Sequence, residues 1–350
     1  MPDLSFLPEK LIPWFEQTGR PLPWRIAPSP YHVWISEIML QQTRIEAAIS
    51  TYERFLAALP DIPALAEARE EDLLKLWEGL GYYSRARNLQ KAARVIVERF
   101  GGKMPSSRKE LLELPGVGDY TAGAIASIAF LRPEPAVDGN VVRVLARLLA
   151  LPLDGGDPKT RKTAREWLLP LYRPGESARS LTEGLMELGE VLCLPNGAPR
   201  CALCPLQAHC RAFAEEAQSA YPLPRKKKER RVEEWTVLIC RRKGLIALQK
   251  RPDSGLLAGL WQFPMLPGFV PADSLPGAQS LGPARHLFSH VEWRMQGYEL
   301  SEPPELPGLV WASPQELETR YALPSAFRPY LLAALTSPGD RGKMVKKGKD

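Results

Sequence analysis

The sequence lacks any apolar stretch long enough to cross a membrane. Its longest apolar run, residues 122–131, covers ten residues and includes Ser127. A transmembrane helix needs about 20 such residues. The first residues also lack the basic region followed by an apolar stretch that marks a secretory signal. We therefore expect a cytoplasmic protein that does not associate with membranes.

Cysteine is scarce, with 5 in 350 residues, which excludes a scaffold held together by disulfides. The composition is 45% hydrophobic and 25% charged, which excludes a disordered or collagen-like chain. Because single cores stop growing well below this length, two domains are expected.

Most of the chain also lacks net charge, although the total is +6 with a pI of about 9.0. Residues 1–224 hold 26 basic and 27 acidic side chains, and residues 232–339 hold 9 basic and 10 acidic ones. The excess lies in residues 225–231, with a net charge of +5, and residues 340–350, with +3. Both segments follow prolines, so we expect solvated, non-helical stretches there.

Hydrophobic periodicity changes at the first basic segment. Before it, apolar residues repeat at helical spacing, as in Leu89, Ala92, Ala93, Ile96 and Val97, and in Val141, Val142, Leu145, Leu148 and Leu149. After it, residues 235–240 and 245–249 are predicted strands joined by a turn at residues 241–244. The pattern predicts an all-α first domain of about 220 residues and an α+β second domain of about 105.

Four cysteines lie close together in the sequence, and their spacing suits a metal centre: Cys193, Cys201, Cys204 and Cys210. Two disulfides are the alternative, which a reducing compartment disfavours. Thiolates bind zinc or an iron–sulfur cluster. Only one C-x₂-C pair is present, which favours [4Fe–4S] without deciding the matter. Cys240 stands apart and is predicted to be a small buried hydrophobic residue.

A glycine-rich turn at residues 114–118 separates two predicted helices. Gly116 and Gly118 allow close approach of a ligand, and the following helix begins with free N–H groups that suit a DNA phosphate. An ordinary turn between helices explains the pattern equally well. Asp138 precedes the next helix, either as its N-cap or as a carboxylate that faces the turn.

Together these motifs resemble those of the helix-hairpin-helix DNA glycosylases that carry an iron–sulfur cluster: Leu-Pro-Gly-Val-Gly at 114–118, Val-Asp-Gly-Asn at 137–140 and the four-cysteine loop. Residues 34–43 and 79–88 extend the resemblance to the MutY-type adenine DNA glycosylases. Glu37 lies where that family keeps its general acid. Tyr120 lies where the endonuclease III branch has its nucleophilic lysine. The first cysteine gap, seven residues, is one longer than is usual in the family.

The resemblance implies a multi-domain protein in which an all-α glycosylase domain precedes a smaller, Nudix-like α+β domain. Its expected parts are a helix-hairpin-helix glycosylase domain at 1–221 with a [4Fe–4S] loop at 193–210, a basic linker at 222–232, an 8-oxoguanine recognition domain at 233–337 and a basic tail at 338–350. The second domain has no Glu-rich metal-binding helix of the Nudix hydrolases. We therefore expect it to read the damaged base without pyrophosphatase activity.

The reaction implied is hydrolysis of the adenine N-glycosidic bond opposite 8-oxoguanine or guanine in double-stranded DNA, by a monomer. The resemblance assigns catalysis to Glu37, Asp138, Asn140 and Tyr120. It assigns the cluster to the four cysteines, and DNA contacts to Gln42, Tyr82, Gly116 and Gly118. It assigns base recognition to Arg25, Glu183, Phe288, Ser289 and His290. Glu187 and Glu190, on the same predicted helix as Glu183, are expected to be solvated.

Two other functions fit parts of the pattern. An endonuclease III-like glycosylase with strand-cleaving activity would share the hairpin and the cluster, but Tyr120 in the lysine position argues against it. A DNA-binding or redox-signalling iron–sulfur protein would use the hairpin only for docking. In that case Glu37 and Asp138 would be dispensable.

Overall fold

The computed structural model describes residues 1–223, 229–301 and 305–336. The predicted tail at 338–350 and residues 224–228 of the predicted linker lie outside these ranges. The described helices, in chain order, are α1 (Phe6–Thr18), α2 (Pro23–Ile26), α3 (Pro30–Leu40), α4 (Ile45–Ala58), α5 (Ile62–Glu67), α6 (Glu70–Leu76), α7 (Ser84–Phe100), α8 (Arg108–Leu111), α9 (Asp119–Ala124), α10 (Gly139–Leu149), α11 (Pro158–Leu168), α12 (Glu176–Val191), α13 (Arg211–Ala214), α14 (Pro314–Thr319) and α15 (Arg328–Leu335).

The described residues form two compact units. The first contains Met1–Glu67 and the described residues of Asn88–Lys226, and the second contains Ala68–Arg87 and the described residues of Lys227–Asp350. The domain limits inferred from the sequence remain predictions. They place residues 68–87 in the first domain, whereas in the structure this segment groups with the second unit.

The core of the first unit is built from the apolar faces of α1, α10 and α12, which pack together through Leu7, Leu11, Leu145, Leu185 and Leu188. All five apolar residues that the periodicity placed on one face of α10 are buried. On α7, the same pattern is wrong at its last position, because Val97 is 41% exposed. Its neighbour Ile96 is fully buried, so the core-facing stripe ends one residue earlier than predicted.

The helices α8 and α9 form the hairpin that the glycine-rich turn predicted. Ser107 caps α8 by accepting a hydrogen bond from the Glu110 N–H at 3.2 Å. After Ala124, α9 continues as one π-helical turn, Ile125–Ala129. Such turns occur often at functional sites, and this one packs against α3 and α12.

The second unit contains a seven-stranded mixed sheet among its described residues. Its strands are β1 (Arg231–Arg242), β2 (Leu245–Lys250), β3 (Trp261–Gln262), β4 (Met265–Pro267), β5 (Gln279–Leu287), β6 (Val291–Leu300) and β7 (Leu309–Ala312). The main order is β3-β2-β1-β6-β5, with β4 paired to β1 and β7 to β2. β1 and β6 run parallel, and the other pairs are antiparallel.

The predicted β1–β2 hairpin is confirmed. Lys243 and Gly244 both adopt positive φ, 51° and 78°, as a two-residue hairpin turn of type I′ requires. β1 is buried on both faces: Val237 and Ile239 pack under α14 and α15, and Leu238 and Cys240 pack on the other side. Cys240 is therefore the small buried hydrophobic residue that the sequence predicted.

The predicted fold class, a helical first part followed by an α+β part, is confirmed. None of the helices formed by the described residues combines the length and the apolar character that crossing a bilayer requires.

Candidate active site

A cavity of about 1220 Å³ opens among α3, α9, α10 and α12 in the first unit. It brings together most of the predicted site residues of this unit. Its lining includes Arg25, Glu37, Gln42, Gly116, Gly118, Tyr120, Asp138, Asn140 and Glu183. The predicted catalytic and base-recognition residues of the first unit therefore share one cavity, although they come from distant parts of the sequence.

Glu37 is a buried carboxylic acid on α3, only 6% exposed. Ser29 caps α3 by accepting a hydrogen bond from the His32 N–H at 3.1 Å, and Pro30 begins the helix. Burial raises the pKa of Glu37 to about 7; the Tyr120 hydroxyl opposes the rise, and the negative charge of Asp138 adds to it. One oxygen, Oε2, has no hydrogen-bond partner among the described residues. The group is therefore suited to donate a proton at neutral pH.

Asp138 satisfies both interpretations made from the sequence. Its Oδ1 accepts a hydrogen bond from the Val141 N–H at 2.8 Å, so it is the N-cap of α10. Its Oδ2 accepts one from Asn140 Nδ2 at 2.9 Å while the residue lines the cavity. Burial raises the pKa of Asp138, and the Val141 N–H and the Arg143 guanidinium lower it. The capping bond and Arg143 both favour the ionised form.

Tyr120, on the first turn of α9, lies beside these two carboxyl groups. Its hydroxyl donates to the Met186 sulfur, with an O–S distance of 3.8 Å. Burial, followed by the charges of Glu37 and Asp138, raises the pKa of Tyr120 well above 10. The phenol is therefore neutral at physiological pH and has a proton to donate.

The structure requires glycine at the first of the two hairpin positions and not at the second. Gly116 has φ +78°, and a Cβ there would lie 2.8 Å from the Asn88 Cβ, so backbone and packing both require glycine. Gly118 has an ordinary φ of −97°, and nothing lies within 4 Å of a Cβ built on it. Neither packing nor backbone strain within the described chain requires glycine at 118, which leaves its backbone open to a ligand in the cavity.

An ion-pair network forms the part of the cavity near Glu183. Arg25 Nε lies 3.4 Å from Glu183 Oε1, and Arg25 Nη1 donates to Glu187 Oε2 at 2.9 Å. Arg20 donates to the same Glu187 carboxylate from Nε at 2.6 Å and from Nη2 at 2.9 Å. Glu187 is 1% exposed, so the expectation that it is solvated is wrong. Glu190 is exposed, as expected.

Sequence reasoning therefore missed Glu187 as a site residue. Its spacing of four residues from Glu183 places both acids on one face of α12, which is the signal that the sequence held. Its two arginine partners come from residues more than 160 positions earlier in the chain. Only the fold reveals them.

Gln42 and Tyr82, the predicted DNA-intercalating residues, share an unusual backbone. Their φ angles are +58° and +46°, in a left-handed region that residues other than glycine seldom adopt. Such strain is concentrated at functional sites. Gln42 lines the cavity of the first unit. Tyr82 belongs to the second unit and is 47% exposed.

The predicted recognition loop connects β5 to β6. The hydroxyls of Ser289 and Tyr82 are hydrogen-bonded at 2.6 Å within the second unit. Phe288 packs edge-on against Trp293, with ring centroids 4.9 Å apart, whereas Ser289 and His290 are exposed. Phe288 thus anchors the loop and leaves its tip accessible.

The four clustered cysteines are all free thiols, so the two-disulfide alternative is wrong. Cys193, Cys204 and Cys210 pack against the core of the first unit. Arg147 donates from Nη1 to Cys193 Sγ at 3.4 Å and to the Leu194 carbonyl oxygen at 2.8 Å. Burial raises the pKa of Cys204 to about 12, and repulsion from the other thiolates adds to the rise. Arg147 therefore holds a cation against the Cys193 sulfur.

Comparison with known proteins places the chain. A family model described as "HhH-GPD superfamily base excision DNA repair protein" matches residues 35–170, and a NUDIX domain model matches residues 235–333. The chain is 34% identical to the adenine DNA glycosylase of Mus musculus, over 94% of this chain and 78% of that protein. This chain belongs to the adenine DNA glycosylase family. It is also 34% identical to the Homo sapiens protein of that name, over 91% of this chain and 73% of the other.

Solved structures of other proteins share their fold with about three fifths of this glycosylase. A thermostable thymine-DNA glycosylase is 28% identical with a TM-score of 0.54, covering 60% of this chain and 96% of that one. Endonuclease III in a non-covalent DNA complex is 24% identical with a TM-score of 0.52, covering 61% of this chain and 96% of that one. The second likeness concerns the fold alone.

The residues of the cysteine loop fit the cluster that the sequence favoured. Among the described residues, no three His, Cys, Asp or Glu side chains converge as a single metal ion requires. In a [4Fe–4S] cluster each thiolate binds a different iron, so the sulfurs surround the cluster instead of meeting at one point. Four free thiols, three of them packed on the core and one of them, Cys193, hydrogen-bonded to Arg147, are the donor set that such a cluster takes.

Proposed function

We propose that this glycosylase hydrolyses the N-glycosidic bond of adenine mispaired with 8-oxoguanine or guanine in duplex DNA. The observation that carries the proposal is a buried acid, Glu37, whose pKa is raised to about 7, in one cavity with the hydrogen-bonded carboxylate of Asp138. Two carboxyl groups held in different environments are the usual machinery of glycoside cleavage. The adenine leaves the base stack to reach them.

In the first step, protonated Glu37 donates its proton to adenine N7. The C1′–N9 bond then breaks, and its electron pair leaves with the adenine. The sugar becomes an oxocarbenium ion, which the ionised Asp138 stabilises by its charge. Water adds to C1′ and gives its proton to the Glu37 carboxylate, which restores the acid. Asn140 holds the Asp138 carboxylate in place through its hydrogen bond at 2.9 Å.

Adenine itself is held by Arg25 and Glu183, with Glu187 fixing the Arg25 guanidinium. Tyr120 closes the pocket beside the carboxyl groups of Glu37 and Asp138. The backbone at Gly116 and Gly118 binds a DNA phosphate. The opposite base is read by Gln42 and Tyr82 within the duplex and by Ser289, His290 and Phe288 in the recognition loop.

A glycosylase assay on four duplexes tests the reaction: A opposite 8-oxoguanine, A opposite G, A opposite C, and a damaged pyrimidine. We expect adenine release from the first two. Glu37→Gln is expected to reduce single-turnover excision by at least about 100-fold while duplex binding is retained, and Asp138→Asn is expected to do likewise. Glu53→Gln, at an exposed site on α4, is the matched control.

Full turnover by Glu37→Gln would rule out its role as the acid. Release of the damaged pyrimidine with borohydride trapping of a covalent adduct would instead favour the endonuclease III-like activity. Ser289→Ala combined with His290→Ala should lower the preference for 8-oxoguanine over guanine. An unchanged preference would show that the recognition loop does not read the opposite base.

We also propose that Cys193, Cys201, Cys204 and Cys210 bind a [4Fe–4S] cluster, which supplies a structural centre for the loop. Arg147 would stabilise it, because a guanidinium offsets the negative charge of the thiolates. We expect about four irons per chain and a visible absorbance band. Arg147→Leu should lower the iron content, whereas Arg173→Leu, at an exposed site, should not. Equal iron content in both variants would contradict the role of Arg147.

A further inference from the structure

One face of α11 forms a basic wall of the active-site cavity. Pro158, Arg161, Lys162 and Arg165 all line the cavity that holds Glu37 and Asp138. Their spacing of i, i+3, i+4 and i+7 places them on a single helical face. Three of the four are cationic, so the helix presents its positive charge to the cavity.

The helix is fixed by its other side. Ala164 and Leu168 are fully buried in the core of the first unit. Asp157 caps the N-terminus by accepting a hydrogen bond from the Lys159 N–H at 3.0 Å. Lys159 is exposed on the same helix but does not line the cavity. The orientation of the basic face is therefore set by packing, and Lys159 provides a matched cation that points elsewhere.

Arg108 of α8 extends the same wall. Arg165 Nη2 lies 2.5 Å from Glu134 Oε2, and Arg108 Nε lies 3.8 Å from it, while Arg108 also pairs with Asp119. Both arginines keep a buried Nε–H with no hydrogen-bond acceptor among the described residues. With Arg161 and Lys162, the wall holds four cations against these two acids. Positive charge remains for a ligand.

The charges that line the cavity come from different elements. The carboxyl groups of Glu37, Asp138, Glu183, Glu187 and Glu190 belong to α3, to the N-cap of α10 and to α12, and Arg20 and Arg25 pair with two of them. The cations of the wall belong to α11 and α8, where Arg108 pairs with Asp119. A nucleotide extruded from DNA combines an uncharged base with a negative backbone, so these cations suit its phosphates.

We propose that Arg161, Lys162 and Arg165 bind backbone phosphates of the strand whose adenine enters the cavity. The inference rests on the proposed function, because it takes the cavity as the site of the extruded base. These contacts are independent of sequence and hold the strand in register, as phosphate contacts generally do. The basic wall thus provides local positive charge, although residues 1–224 hold nearly equal numbers of basic and acidic side chains.

Salt dependence of binding measures these contacts directly. Arg161→Gln and Lys162→Gln are placed in a Glu37→Gln background, so that an A:8-oxoguanine duplex stays intact. Each lost phosphate contact lowers the slope of log affinity against log salt by about 0.9. We expect a drop of about 0.9 for each variant, about 1.8 for the pair, and little change for Lys159→Gln. Arg165 is left unchanged because it also pairs with Glu134.

Neutral methylphosphonate linkages identify the strand. Placed within two nucleotides of the adenine, they should abolish the affinity difference between the Lys162→Gln variant and its parent, because the phosphate partner is already gone. The same linkages opposite, beside 8-oxoguanine, should leave that difference intact. Equal effects of Lys159→Gln and Lys162→Gln, or an effect only in the opposite strand, would overturn the proposal.

The outcomes for the two proposals are separable. If the unaltered chain excises adenine while the slopes do not move, only the phosphate site fails. If the slopes fall as expected but no duplex loses adenine, the DNA contact stands and the proposed reaction fails.

Discussion

At the scale of single residues, the protonation of Glu37 sets the pH dependence of the proposed reaction. Its pKa lies at about 7 because the carboxyl group is buried. The acid form is active, so the rate is retained below that pKa and lost as pH rises through it. We expect the single-turnover excision rate at saturating enzyme to fall about tenfold per pH unit above about pH 7.

Saturating enzyme removes the contribution of DNA binding from this profile. A rate that stays level from pH 7 to pH 9 would contradict Glu37 as the proton donor. Because burial also raises the pKa of Asp138, the acid side of the profile should fall as that carboxylate becomes protonated.

Sequence patterns predict individual residues well where the chemistry is local. The N-cap position of Asp138 and its bond to Asn140 follow from residues within three positions of each other. Glu187 could not be predicted in this way, since a carboxylate on a helix is normally solvated and its two arginine partners come from α2 and the segment before it. Long-range ion pairs are invisible to spacing alone.

At the scale of elements, the Lys75–Glu78 ion pair connects α6 to the region around α14, because both of its members also form hydrogen bonds with that region. Lys75 Nζ donates to Glu78 Oε2 at 2.7 Å and to the carbonyl oxygens of Leu317 and Tyr321 at 3.2 and 3.1 Å. Glu78 Oε1 accepts the Leu323 N–H at 2.8 Å. Together they join residues about 245 positions apart within the second unit.

Lys75→Met should loosen this junction, because two carbonyl groups and Glu78 lose their donor. We expect the opening free energy of residues 70–82 to fall by about 1–3 kcal/mol, measured by native-state hydrogen exchange. Lys91→Met, at an exposed position of α7, is the control. Unchanged exchange in residues 70–82 would show that the ion pair contributes nothing to their attachment.

Elements with a strong local signal were predictable, as the Lys243–Gly244 turn and the buried face of α10 show. The parallel pairing of β1 with β6 was not, because more than 50 residues separate their paired positions. The end of the apolar stripe on α7 was also missed, since periodicity continues to Val97 beyond the point where the core ends.

At the scale of the whole molecule, the basic excess of residues 225–231 is predicted to strengthen binding to any DNA. Replacing its six basic residues by glutamine should weaken binding to undamaged duplex at low salt and leave single-turnover excision at saturating enzyme unchanged. A linker of the same composition in shuffled order is the control, because it keeps the charge. A large loss of single-turnover rate would assign the linker a role beyond attraction.

The division of the chain into units also bears on its synthesis. Residues 68–87 are synthesised early, yet the carbonyl groups that accept hydrogen bonds from Lys75 belong to residues 317 and 321, more than 240 positions later. The first unit contains residues on both sides of this segment, so it has its full sequence available while the segment still lacks its partners. Closing so long a loop is entropically costly and slow. Nascent chains are therefore expected to carry α6 without these partners until residues 317–323 have been synthesised, so attachment of this segment depends on residues far downstream in the sequence.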